Sequence, residues 1–124
     1  AGIDTLPLLL ISPVLDYVPQ LYGMVARSGY SIRLFDAVVK EIEQEYQHPL
    51  STVDPLGRLA SRSGAAIIVH DEEDRFAPYG DSQRATLDGR TRLVSTRGLG
   101  HGRILASAPL FAAFDSLAGS HSPA

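Results

Sequence analysis

The sequence predicts an α/β fold: a three-layer parallel-sheet fragment of three strands, with a helical cap inserted after the first strand. Three observations predict it. Leu8-Leu9-Leu10-Ile11 is an apolar run without alternation, the pattern of a strand buried on both faces. Two further strand-like segments follow, Ala65 to His70 and Arg92 to Ser95, each separated from the preceding one by chain with helical periodicity. Parallel neighbours need long crossovers, so alternating strand and helix is the order such a sheet requires.

Each element has its own signals. Ser12-Pro13 ends the first strand. Asp16 is placed to cap a helix with Pro19 in its first turn, and Val18, Leu21, Tyr22 and Val25 follow at helical spacing until Gly29. Ser31 caps a second helix with Leu34, Val38 and Ile42 as its apolar stripe, Phe35, Val39 and Tyr46 alongside, and Lys40, Glu41, Glu43 and Gln44 opposite. His48-Pro49 stops it, and Asp54-Pro55 starts a short third helix that ends near Gly64. This helical insertion, about residues 16–60, is longer than a crossover needs and is expected to project as a cap over the strand ends. Asp81 is placed to cap a helix that ends near Leu87, before the Asp88-Gly89 turn. Ser107-Ala108-Pro109 opens a final helix with Leu110, Phe111, Phe114 and Leu117 expected inward. Residues 1–119 then form one domain part, and 120–124 a disordered tail.

The bulk numbers exclude several classes. With 124 residues the chain can bury one modest core. Hydrophobic residues are 44% and charged residues 20%, an ordinary globular composition. A net charge of −3 offers no basic stripe for nucleic acid. The absence of cysteine excludes disulfides, thiolate metal sites and a thiol nucleophile. The longest apolar stretch, Leu6 to Leu15, is interrupted by prolines and too short to span a bilayer, and it lacks the basic flank of a signal peptide. The expectation is a cytoplasmic protein without nucleic-acid or membrane partners. The first residue is not Met and the chain opens almost directly into a core-like strand, which suggests a truncated domain.

The ends of the second and third strands carry the candidate chemistry. Open parallel sheets place their sites at the C-terminal ends of strands. Asp74 stands in an acidic run with Asp71, Glu72 and Glu73, and its following Arg75-Phe76-Ala77-Pro78 makes a shaped turn. His101 lies in Gly98-Leu99-Gly100-His101-Gly102, where glycines permit a sharp bend or close approach. An acid that orients a His, and a His that serves as base, are two members of a nucleophilic triad. A solvated acidic loop and a surface His are the plain alternatives. His48 and His121 carry no such context, and His70 reads as a packed or hydrogen-bonded residue at a strand end. His70, Asp71, Asp74 and His101 lack a metal-ligand spacing, so no metal is assigned. No cofactor motif is found.

His70-Asp71-Glu72-Glu73-Asp74-Arg75-Phe76-Ala77-Pro78-Tyr79, together with Gly98-Leu99-Gly100-His101-Gly102-Arg103-Ile104-Leu105, resembles the C-terminal part of the α/β-hydrolase superfamily. The likeness is greatest to small bacterial serine hydrolases and covers nearly the whole chain. Ile11-Ser12-Pro13 resembles the end of their sixth strand, and residues to about Leu59 resemble their cap. The resemblance implies the last three strands of that fold, with Asp74 as the triad acid and His101 as the base. The superfamily's order is nucleophile, acid, His, with the Ser in a G-x-S-x-G turn before the sixth strand. No such turn occurs here, and Ser12, Ser28 and Ser31 lie outside that context. The nucleophile and the oxyanion-hole loop are therefore expected upstream of Ala1. Haloalkane dehalogenases and epoxide hydrolases use Asp as nucleophile, so Ser and Asp both stay open.

The implied reaction is hydrolysis of an ester, amide or thioester of a small to medium substrate, with this chain alone inactive. Tyr17, Tyr22, Met24, Tyr30 and Phe35 of the cap are candidates for an apolar substrate pocket, or plain core. The alternative is a non-catalytic α/β binding or interaction module. The Leu8–Ile11 strand, lacking its neighbour, is expected to present a sticky edge that promotes self-association.

Overall fold

A computed structural model of the chain describes residues 5–120, so the 121–124 part of the expected tail lies outside the described residues. The elements run β1 (Leu8–Ile11), α1 (Tyr17–Arg27), α2 (Ile32–Tyr46), α3 (Pro55–Ala60), β2 (Ala66–Asp71), α4 (Tyr79–Ala85), β3 (Thr91–Thr96), α5 (Gly100–Arg103) and α6 (Ala108–Ser120), with single 3-10 turns at Leu50–Thr52, Thr86–Asp88 and Ile104–Ala106. The three strands pair in parallel in the order β1-β2-β3. The α/β class with a three-stranded parallel sheet is thus observed.

Parity along the strands builds the two cores. Ile67 and Val69, with Leu9, Ile11 and Val94, face Ile104 and Leu110, Ala113 and Leu117 of α6. Ala66 and Ile68, with Leu8, Leu10 and Leu93, face Leu15 of the β1–α1 loop, Leu56 and Leu59 of α3 and Ala85 of α4. Successive side chains of a strand point to opposite faces, so a strand covered on both sides reads as unbroken apolar sequence. All six residues of β2 are buried, whereas β1 is half-buried throughout.

Several element ends follow their local chemistry. The Ser31 hydroxyl accepts from the Leu34 N–H at 3.2 Å, capping α2. An Asp54 oxygen accepts from the Gly57 N–H at 3.0 Å, with Pro55 in the first position of α3. Gly29 takes φ +80°, the left-handed conformation that closes α1.

Other expectations are corrected. Asp16 precedes α1 but makes no side-chain cap. Asp81 is not a cap: α4 begins at Tyr79, and Asp81 lies within its first turn, paired with Arg84. The stripe Leu34, Val38 and Ile42 of α2 is exposed at 66, 45 and 50%, and α1 and α2 contain no fully buried residue. The half-buried line is Phe35 and Val39, one position round the helix, where Phe35 meets Tyr22 edge-to-face at 5.1 Å. In α6, Phe111 and Phe114 are each 58% exposed, because Leu110, Ala113 and Leu117 take the sheet side. The helix continues through Ser120 rather than fraying at Gly119.

Candidate functional site

The C-terminal ends of the strands converge on two loops. One runs from Asp71 to Pro78 between β2 and α4, and the other from Arg97 to Leu99 between β3 and α5. Asp71 and Thr96 are register partners at the last rung of the β2–β3 ladder, so both loops leave the sheet side by side.

Asp74 is fixed by its own turn. Its Oδ1 accepts from the N–H groups of Phe76 and Ala77, both at 2.8 Å. Its Oδ2 lies 2.8 Å from Nδ1 of His101. A carboxylate can only accept here, so Nδ1 of His101 carries the proton and donates it to Asp74. The Asp74 side chain is fully buried while that of His101 is 42% exposed. Burial pushes the Asp74 carboxyl upward, but the Ala77 N–H, the His101 ring and the Phe76 N–H outweigh it and hold it below the usual carboxylate range.

His101 lies in α5, a single helical turn, rather than in an extended loop. With Nδ1 protonated, the neutral ring presents its lone pair at Nε2, which hydrogen-bonds to no described residue. The ring meets Phe76 edge-to-face at 5.6 Å. It opens onto a cleft of about 430 Å³ lined also by Glu73, Arg75, Gly98, Gly100 and Arg103. An imidazole with an oriented Nδ1–H, a partly exposed ring and an Nε2 that hydrogen-bonds to no described residue can take a proton from an incoming hydroxyl and return it to a leaving group.

A second histidine touches the same carboxylate. Nε2 of His70 lies 3.3 Å from Asp74 Oδ2 and 3.0 Å from the Ala77 carbonyl oxygen. Both are acceptors, so Nε2 carries the proton. Nδ1 of His70 then accepts from the Ser82 hydroxyl at 2.6 Å. His70 is fully buried with both nitrogens engaged, which excludes it as a base and leaves it as a support of the acid loop. Its packed, hydrogen-bonded character matches its reading from sequence.

Asp71 is where sequence reasoning saw only a rival acid. Its carboxylate is fully buried. Oδ1 accepts from the Thr96 hydroxyl at 2.6 Å and the Leu99 N–H at 3.0 Å. Oδ2 accepts from the Gly100 N–H at 2.9 Å and the Glu73 N–H at 3.1 Å. Burial pushes its pKa up, but the Thr96 hydroxyl and the N–H groups of Gly100, Leu99 and Glu73 prevail and bring it down to about 2. The role depends on backbone donors 28 and 29 residues away, which no local motif signals.

Ser12 carries a further anchor. It follows β1 with φ +50°, a left-handed conformation that costs a non-glycine residue about 1–3 kcal/mol. Its hydroxyl, nearly buried, donates toward the His101 carbonyl oxygen at 3.5 Å, not toward the ring. Ser12 is therefore not aligned for attack through His101. Ser28 donates to the Met24 carbonyl and Ser31 caps α2, so neither is near the pair. The cap residues named as pocket or core candidates do not line the cleft at His101. The cleft has no cap residue in its lining, and the Tyr22 hydroxyl is bound to Asp36. Among the cap candidates Phe35 lines a separate apolar groove with Leu21, Val39 and Ile42. Among the described residues no group of His, Asp and Glu is arranged to hold a metal ion, and no helix is long and apolar enough to cross a membrane.

Compared with known proteins, the chain matches no family model, no curated protein and no solved structure.

Proposed function

We propose that this chain supplies the acid and the base of a serine-type α/β hydrolase, and that the nucleophile and oxyanion donors come from a segment outside its 124 residues. The reading rests on the 2.8 Å contact between Asp74 Oδ2 and His101 Nδ1, made by a buried acid to a partly exposed imidazole that lines a cleft. Asp74 holds the Nδ1–H tautomer and stabilises the imidazolium that forms. His101 removes the nucleophile's proton through Nε2 and later protonates the leaving group. The substrate class is an ester, amide or thioester of small to medium size, and the reaction needs no cofactor. A cytoplasmic setting accompanies this reading.

Translating the gene upstream of Ala1 tests it. A G-x-S-x-G turn between a strand and a helix supports the hydrolase, and an Asp in the same turn supports a dehalogenase-like or epoxide-hydrolase-like nucleophile. A stop codon or unrelated sequence there leaves a binding module, in which the Asp74–His101 contact only ties two loops.

A further inference from the structure

We propose that Asp71 is a positioning residue: its buried carboxylate, spanning the two loops, sets the distance between Asp74 and His101. This rests on the proposed acid–base role of that pair.

Asp74 and His101 belong to loops that leave different strands, and 27 residues separate them. A contact at 2.8 Å between such loops needs something that fixes one against the other. Four donors meet on Asp71. The Glu73 N–H is adjacent to Asp74, the Gly100 N–H is adjacent to His101, and the Leu99 N–H and Thr96 hydroxyl complete the second loop's end. Each carboxylate oxygen takes two donors, and the side chain has no exposure through which water could replace it. Around it, Phe76 meets the His101 ring at 5.6 Å, the Glu72 N–H donates to the Thr96 carbonyl at 2.8 Å where the loops leave the sheet, and Glu72 pairs with Arg97 at 2.8 Å, with Arg97 79% exposed. An exposed pair of that kind contributes little. Arg103 donates to the Leu99 and Gly98 carbonyls at 3.1 and 2.6 Å, which stiffens the His101 loop internally without tying it to Asp74. Asp71 is thus a buried side chain that binds main-chain donors of both loops.

Asp71→Asn isolates the effect with almost no change in volume. An amide has one acceptor oxygen and one donor nitrogen. With the NH2 toward Thr96, the hydroxyl can turn to accept it, but the Leu99 N–H then faces a donor. With the NH2 on the other side, both Glu73 and Gly100 lose their acceptor. Either placement detaches the His101 loop at one point or more.

The measurement is NMR of the His101 ring in the whole 124-residue chain, reading the Nδ1 shift and solvent exchange of Nδ1–H. The backbone amide of Ile68 reports global opening. Losing one buried hydrogen bond should speed Nδ1–H exchange in Asp71→Asn about tenfold relative to the Ile68 amide, with Nδ1 moving toward the shift of a free imidazole. Thr96→Val removes one donor and leaves the charge, so it should move both signals the same way by a smaller factor, and Thr96→Ser should restore them. Should Asp71→Asn fail to fold, the Val and Ser variants decide the matter. Variants that melt earlier but leave the His101 signals unchanged relative to Ile68 overturn the proposal, because a purely structural role would do that. A wild-type chain with no hydrogen-bonded Nδ1–H removes the acid–base pair itself, and Asp71 then has nothing to position.

Discussion

Two aspartates three residues apart have separate roles because their oxygens meet different partners. Asp74 keeps one oxygen for its own turn and offers the other to His101, whereas Asp71 is saturated by four donors from two loops. The assignment of Asp74 over Asp71 as partner of His101 was legible from the Arg75-Phe76-Ala77-Pro78 turn that follows it. The staple at Asp71 was not, since three of its four donors are main-chain groups that have no side-chain signature in sequence. The same geometry fixes a pH response. Asp71 is held at about 2 against an ordinary value of 3.8, and Asp74 is lowered as well. A lowered folded-state pKa contributes stability above the unfolded value that is lost as pH falls through the folded one. The urea midpoint should therefore be flat above about pH 4 and fall between about pH 4 and pH 2, with a shallower fall in Asp71→Asn. Equal slopes in the two proteins would contradict the hydrogen-bond network. Asp74→Asn makes a separate prediction. Its oxygen can keep the Phe76 and Ala77 N–H groups, so its NH2 faces His101 and forces the wrong tautomer. In the nucleophile-bearing enzyme, ester turnover should fall on the order of 10⁴-fold, and the melting temperature should fall as well, because the NH2 also meets the buried Nε2–H of His70.

The longer helices were legible as elements, whereas the single turn α5 was not, and neither was the direction each one faces. In α6, Leu110, Phe111, Phe114 and Leu117 all lie on one broad apolar arc, and residue type alone favours the aromatics as the inner members. The sheet takes Leu110, Ala113 and Leu117 instead, a line at i, i+3 and i+7 whose small central residue lets the helix approach. Leu110→Ala should accordingly cost about 2–4 kcal/mol, and Phe111→Ala under about 1 kcal/mol, by urea unfolding. A larger loss at Phe111 would mean that the helix is rotated. The same error of one position occurred in α2, where Leu34, Val38 and Ile42 look outward and Phe35 and Val39 pack toward α1. Leu34→Ala should change stability by less than about 0.5 kcal/mol when the chain is measured alone. The strands were more legible, because β2 is buried on both faces and needs apolar residues at every position.

At the scale of the molecule, parallel pairing followed from the alternation of strands and helices, and the observed order β1-β2-β3 has its consequence at the β1 edge. The N–H groups of Leu8 and Ser12 donate to β2, at Ala65 and Val69. Alternate residues of a parallel strand donate to opposite sides, so the donors of Leu9 and Ile11 point away from β2. A row of free donors and acceptors beside apolar side chains recruits other strands. We expect the chain alone to self-associate with rising concentration in sedimentation, and Ile11→Pro, which removes one outward donor without touching the ladder to β2, to weaken that association. A monomer at all concentrations would show that this edge is already covered. The same open edge is where a further strand of a larger sheet would pair, and the proposed chemistry requires a nucleophile from outside these 124 residues. The most direct measurement is turnover of a p-nitrophenyl ester by the product of the whole reading frame, by the same protein with His101→Ala, and by the 124-residue chain alone. The account predicts turnover in the first, its loss in the second, and no activity beyond free imidazole in the third. Turnover that survives His101→Ala, or turnover by the chain alone that depends on His101, would contradict it.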